Sequence, residues 1–501
     1  MDDGRRWRTA RLGGLVRALC LGVLALALAA CGGAADGGPA VRISEGAAFA
    51  PARAPAFVEI TTDVDGAQWR KAESPLDRFP GKDAVLGDLR QELNADNLSW
   101  ERDVKPALGD AVYLVWLDFA NGGDDVVGFT KPADRRKFER VLESGDEPTV
   151  HRELDGWVVF SDRASLLDRF QDARTGGSLA DEDRFEEATD ELPEDSIVRA
   201  YLNGEEVQRA VDASLAQGGA PASLTRTYGR LETLGAAVVA KGDGVMLKAD
   251  VATASAPAAE PYTPELPSVV PSGALAYVSF GTLEEGFRRA LRVLEENDPA
   301  LAAQRGQAEQ VLGLTLEDDV LPLFGKEGGI AVYRVKQTPA VALFLAVSDE
   351  GKARRVLDRF GALAKLADGA TTRRFTVEGV EARELRFRRD DVSLLTVVSR
   401  NRLIVTSSEA VLRDVLDGGR TLADDNGFKR AREAAGLPGE TTGFLYLALQ
   451  RGVPFVLDYA EREGEQIAPE ARRNVRPLRS LLLFAEQDGD DQTLTGFVEL
   501  E

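Results

Sequence analysis

Cys31 is the side chain whose neighbours prescribe a reaction. It follows Leu28-Ala29-Ala30 at the end of an uninterrupted apolar stretch, Ala18–Ala30, with Arg5, Arg6, Arg8, Arg11 and Arg17 ahead of it. A basic start, a short apolar core and a small-residue exit make an export leader. With cysteine next, the pattern is a lipobox. The thiol is alkylated by a diacylglycerol group, and the leader is cut in front of Cys31, with Leu28, Ala29 and Ala30 as the recognised residues. The stretch has 13 residues, short of the roughly 18–20 that span a bilayer. Arg5-Arg6 also suggests twin-arginine export, but Trp7-Arg8-Thr9 after it matches poorly, so the route stays open. The other cysteine, Cys20, lies inside the leader, so the remaining chain forms no internal disulfide.

Little else in the chain is arranged to react. A Ser-His-Asp triad would have to use His151, the single histidine, and no Gly-x-Ser-x-Gly elbow supplies its serine. No Ser-x-x-Lys occurs, and His151, within Thr149-Val150-His151-Arg152-Glu153, reads as a surface strand residue. Zinc and redox metals need His or Cys clusters, which are missing. Asp63-Val64-Asp65-Gly66 and Asp424-Asp425-Asn426-Gly427 come nearest to calcium loops. Both lack the alternating ligands and distal Glu of an EF-hand, so turns and caps describe them better. Gly325-Lys326 lacks the earlier glycine of a P-loop. With 83 Asp and Glu in the chain, closeness in sequence cannot pick out the acid pair of a glycosidase. No cofactor and no metal is expected. Trp69, Trp100, Trp116 and Trp157 all precede the midpoint of the chain; they could line a ligand groove, though core filling is the simpler role.

The elements that would carry these residues follow from composition and pattern. The net charge of −22 becomes more acidic once the leader, with five Arg against two Asp, is removed. A nucleic-acid binder needs a basic face, which this charge excludes, and the same charge argues against flat adsorption on anionic lipid. Membrane attachment then falls to the acyl chains on Cys31, at about 0.8 kcal/mol per buried CH₂. The expected location is extracytoplasmic. From Gly32 to Ala54 the chain is mostly Gly, Ala and Pro, a flexible tether with a mean reach of about 25 Å.

Beyond the tether the sequence repeats. Gly176-Gly177-Ser178-Leu179-Ala180-Asp181, Phe185 and Leu192-Pro193 return as Gly418-Gly419, Thr421-Leu422-Ala423-Asp424, Phe428 and Leu437-Pro438. Phe57-Val58 corresponds to Tyr277-Val278, Tyr201 to Tyr446, and Val104, Pro106 and Gly109 to Val320, Pro322 and Gly325. Ser178-x-x-Asp181 and Thr421-x-x-Asp424 resemble capping boxes and predict helices that bury Phe185 and Phe428. Each copy closes on a hairpin, Ala236–Lys241 with Val245–Val251 and Leu481–Glu486 with Leu494–Leu500. Val85, Leu86, Leu89 and Leu93 mark an amphipathic helix, as do Phe287, Leu291 and Leu294. The expected organisation is a leader at 1–30, a tether at 31–54, a first repeat at 55–252, a Pro-rich linker at 253–272 and a second repeat at 273–501. The fold class is α+β, two tandem homologous domains with largely antiparallel sheets flanked by helices.

Phe57-Val58-Glu59-Ile60-Thr61-Thr62-Asp63, Trp69, Phe79-Pro80-Gly81 and Val104-Lys105-Pro106-Ala107-Leu108-Gly109-Asp110 resemble a known pattern. It is that of the bacterial envelope proteins grouped as domain of unknown function 3352. Ala276-Tyr277-Val278 and Leu316-Glu317-Asp318-Asp319-Val320 are similar in a looser form. The resemblance covers most of residues 55–501. It implies an exported or membrane-attached protein without an assigned activity, so no catalytic residue carries over. The sequence therefore reads as a lipid-anchored, non-catalytic binding or structural protein whose protein or small-molecule partner is unknown. The alternatives are a carrier or chaperone for an apolar ligand and a carboxylate-based hydrolase of cell-envelope polymers.

Overall fold

The computed structural model describes residues 45–119, 123–144, 149–209, 230–254, 259–281, 283–368, 371–387, 392–489 and 491–501. They fall into two compact units, one before and one after residues 255–258.

In the first unit, α1 (Glu45–Phe49) leads to β1 (Ala56–Thr61), then α2 (Ala67–Asp77), α3 (Lys82–Ala95), β2 (Ala111–Trp116), β3 (Val126–Thr130) and α4 (Arg135–Glu143). The hairpin β4 (Val150–Leu154) and β5 (Trp157–Ser161) follows, then α5 (Ala164–Arg174), α6 (Asp183–Thr189), β6 (Val198–Asn203) and the hairpin β7 (Arg230–Lys241) and β8 (Gly244–Ala254). The strand order is β4-β5-β3-β2-β1-β6-β7-β8, antiparallel throughout. β2 is a β-branched and aromatic run, Ala-Val-Tyr-Leu-Val-Trp, nearly buried along its length. Its alternate side chains supply two cores, Val112 and Leu114 on one face and Tyr113 and Val115 on the other.

The second unit runs β9 (Ala276–Gly281), α7 (Leu283–Asn297), α8 (Pro299–Leu312), β10 (Phe324–Val335), β11 (Thr338–Val347) and α9 (Glu350–Asp368). Then come β12 (Thr371–Val377), β13 (Val380–Phe387), β14 (Val392–Ser399), β15 (Arg402–Thr406), α10 (Glu409–Asp417) and α11 (Asn426–Ala435). It closes on β16 (Gly443–Leu447), α12 (Leu449–Arg462), α13 (Pro469–Asn474), β17 (Leu478–Asp488) and β18 (Asp491–Leu500). The order is β12-β13-β14-β15-β11-β10-β9-β16-β17-β18, again antiparallel. This is the first unit's order with the β12–β13 hairpin added at one edge. The mixed helix-and-strand class and the antiparallel sheet agree with the sequence reading.

Three local expectations need correction. The segment read as a tether up to Ala54 is folded from Glu45 onward: Ala47, Phe49, Ala50 and Ala54 are buried, and Phe49 stacks on Trp157 at 4.8 Å. Leu179 N–H donates to Ala50 O at 3.0 Å and Ala52 N–H to Gly177 O at 3.2 Å. The segment read as a linker up to Ser272 behaves alike. Tyr262, Leu266 and Val270 are buried, Leu422 N–H donates to Val270 O at 2.7 Å and Ser272 N–H to Arg420 O at 2.9 Å. Phe49, Tyr262, Leu266 and Val270 anchor these segments, and a few such anchors within Ala- and Pro-rich sequence are not revealed by composition alone. Last, Thr421 and Asp424 form a capping box around a 3-10 turn, Leu422–Asp424, and the helix that buries Phe428 starts two residues later, at Asn426, capped by Asp425. Glu182 takes the same place ahead of α6 and Phe185.

Candidate functional site

Side chains alternate along β9 and β10, so Tyr277 and Ala331 enter one core while Val278, Ile330 and Val332 face the other way. The first unit covers the matching face. There Val58, Leu114 and Trp116 pack with Trp69, Trp100 and the partly buried Leu89 of α3. The second unit leaves it open: Val278 and Ile330 are each 38% exposed and Val341 is 46% exposed. Size accounts for part of this. Trp116 lies opposite Ala56 as Val332 lies opposite Ala276, and the turn that begins with Trp100 begins with Leu316 in the second unit. Indole volume that fills one face is absent from the other. Phe287 and Leu294 of α7, read as marking an amphipathic helix, are exposed as well.

The open face ends in a groove beneath α12 with a volume of about 410 Å³, inside the range of roughly 300–1,000 Å³ usual for ligand pockets. Ala276, Val332, Pro339 and Leu447 form its floor; Leu449, Val453, Val456 and Tyr459 of α12 form its roof. Those roof residues recur at helical spacing, which gives the helix one apolar side. Phe455 closes the wall and is buried, whereas Val456 remains 60% exposed. Register places the floor beside the open patch, Val332 next to Val341 and Ile330 next to Val278.

The helix over the groove is pinned at its N-terminal end. Arg451 Nη1 donates to Asp425 Oδ2 at 2.9 Å and Arg451 Nη2 to Ala274 O at 3.2 Å. Asp425 Oδ1 also accepts from Gly427 N–H at 2.8 Å and Phe428 N–H at 3.3 Å, capping α11. Burial pushes this carboxyl up, but the Arg451 guanidinium and the two amides outweigh it and leave Asp425 below its usual range. Glu327, on β10, shows the opposite balance. It accepts from Glu265 N–H at 2.8 Å, Leu266 N–H at 2.9 Å and Ser279 Oγ at 3.3 Å, yet burial raises its pKa above the usual carboxylate value.

The residues singled out by chemical type are not brought together. Leu28, Ala29, Ala30 and Cys31 lie outside the described residues. His151 is half-buried on β4 opposite Phe160. Asp65 is a turn residue paired with Lys105 at 3.0 Å, and Asp424 and Asp425 are caps. Trp69, Trp100 and Trp157 are buried in cores. Among the described residues no cluster of three or more His, Cys, Asp or Glu is placed to hold a metal ion. Among them, too, no helix is long and apolar enough to cross a membrane. The groove escaped the sequence reading, although Leu449, Val453, Val456 and Tyr459 carried its signal.

Residues 130–500 match the family described as Protein of unknown function (DUF3352). The chain belongs to that family. No curated protein matches it. Among solved structures, crystal form III of TP0453 is 13% identical and is matched over 46% of this chain and 93% of that one, with a TM-score of 0.23. Crystal form IV of TP0453 is 13% identical over 48% and 94%, with a TM-score of 0.24. At these TM-scores the likeness carries no functional argument.

Proposed function

We propose that the protein is an envelope lipoprotein, held at the membrane through Cys31, that binds the hydrocarbon part of a ligand in the groove under α12. The observation that carries this reading is the open apolar face of the second unit, continuous with the groove, where the first unit has a closed core. Contiguous exposed apolar surface of this kind marks a binding site. Binding is favoured over hydrolysis because the perturbed carboxylates are already committed. Asp425 caps α11 and holds Arg451, and Glu327 caps the segment at Leu266. We also read the two units as a duplicated domain, the second specialised for the ligand. Their shared strand order supports this, as do the matching straps at Pro51–Ser178 and Pro271–Thr421.

Two measurements test the reading. Mass spectrometry of the mature N-terminus should find a diacylglyceryl group on Cys31, and Cys31→Ser should release the protein from the membrane fraction. An unmodified thiol or an intact leader contradicts the anchor. Denaturing organic extracts of the full-length Cys31→Ser chain, purified without detergent, should contain an apolar compound in near-equimolar amount. Clean extracts contradict the binding role.

A further inference from the structure

We infer that the groove's ligand is an amphiphile with an anionic head group, held by Arg334, Lys336 and Arg462 at the groove's outer end; this rests on the hydrocarbon-binding reading above. Two rings of the groove each carry a guanidinium. Arg334 lies 5.5 Å from the ring centre of Phe455, and Arg462 lies 5.4 Å from that of Tyr459. Lys336 joins them through the turn between β10 and β11. Its carbonyl accepts from Arg334 Nε at 2.9 Å, and the neighbouring Gln337 Oε1 accepts from Arg462 Nη1 at 3.3 Å.

None of these three cations has a carboxylate within ion-pair distance among the described residues. The two acidic residues of α12 nearest to Arg462 are engaged elsewhere, since Arg472 holds Asp458 at 3.0 Å and Glu461 at 2.8 Å, and Glu463, the residue after Arg462, forms no ion pair with it. In a chain of net charge −22, two guanidinium groups without acidic partners among the described residues lie against rings of the groove, and Lys336 sits in the turn that holds them. Guanidinium groups with free donors suit an oxyanion such as a phosphate or carboxylate. From Leu449 to Tyr459 the helical roof spans about 15 Å, length enough for an alkyl chain lying beneath it while its head meets the cations.

The test is calorimetric titration of the full-length Cys31→Ser chain with dodecyl phosphate, dodecyl maltoside and inorganic phosphate, each below micelle-forming concentration. Dodecyl phosphate should bind about tenfold or more tighter than dodecyl maltoside, and inorganic phosphate should show no binding. The combined Arg334→Gln, Lys336→Gln and Arg462→Gln variant should bring dodecyl phosphate down to the affinity of the maltoside and leave the maltoside unchanged. Equal affinities in the parent chain, or a preference that survives in the variant, would overturn the head-group site while leaving the groove standing. Tight binding of inorganic phosphate would make it a free-anion site and overturn the inference as well. Failure of both amphiphiles to bind would remove the groove reading itself.

Discussion

Arg451 and Asp425 meet at 2.9 Å and tie the helix that roofs the groove to the cap of the helix before it. Because Arg451 is 41% exposed at its side chain, solvent screens the pair, and its value lies in geometry as much as in energy. Asp425→Asn should lower the stability of the second unit by about 1–3 kcal/mol at neutral pH, read by urea unfolding. The effect should fade in acid. A carboxyl depressed below 3.8 contributes stability above that value and loses it as pH falls through the folded-state pKa. An equal difference between the two proteins at pH 7 and at about pH 2 would contradict the role given to this pair.

Glu327 should give the opposite slope. Its folded pKa lies above 4.5, so the native state loses stability as pH rises from that value through the folded pKa. Glu327→Gln keeps an acceptor for the Leu266 amide and removes the titration. Its melting temperature should therefore fall less than that of the parent chain between about pH 4 and pH 8. Parallel profiles would show that Glu327 is not the buried acid responsible.

Phe49→Ala tests the strap that composition disguised as tether. Phe49 contacts Phe129, Trp157 and Phe170, with ring centres 5.2, 4.8 and 5.7 Å away. Its removal should destabilise the first unit by about 3–5 kcal/mol, measured by denaturant unfolding. A loss under about 1 kcal/mol would mean that the strap docks without supporting the core.

What the sequence disclosed and what it hid divide along physical lines. β3 and the strand cores of the closing hairpins were legible because short β-branched and aromatic runs bounded by turn residues write themselves locally, as Val126–Thr130 shows. The straps were not, since Ala50 and Val270 are buried against partners more than a hundred residues away, Leu179 and Leu422. The open face was hidden for a related reason. Val278 and Ile330 alternate as any core residues do, and only the positions of the covering side chains decide whether water reaches them. Even so, the absence of tryptophan from the second half was a visible trace of the opening, through Val332 in the place of Trp116.

The central claim is that hydrocarbon occupies the groove, and Val332→Trp addresses it most directly. The substitution gives the second unit the indole that the first carries at Trp116, and the groove of about 410 Å³ has room to receive it. Stability should change by no more than about 1 kcal/mol, while binding of dodecyl maltoside to the full-length Cys31→Ser chain, followed by calorimetry, should weaken by about tenfold or more. Unchanged affinity in a folded Val332→Trp protein would contradict the claim.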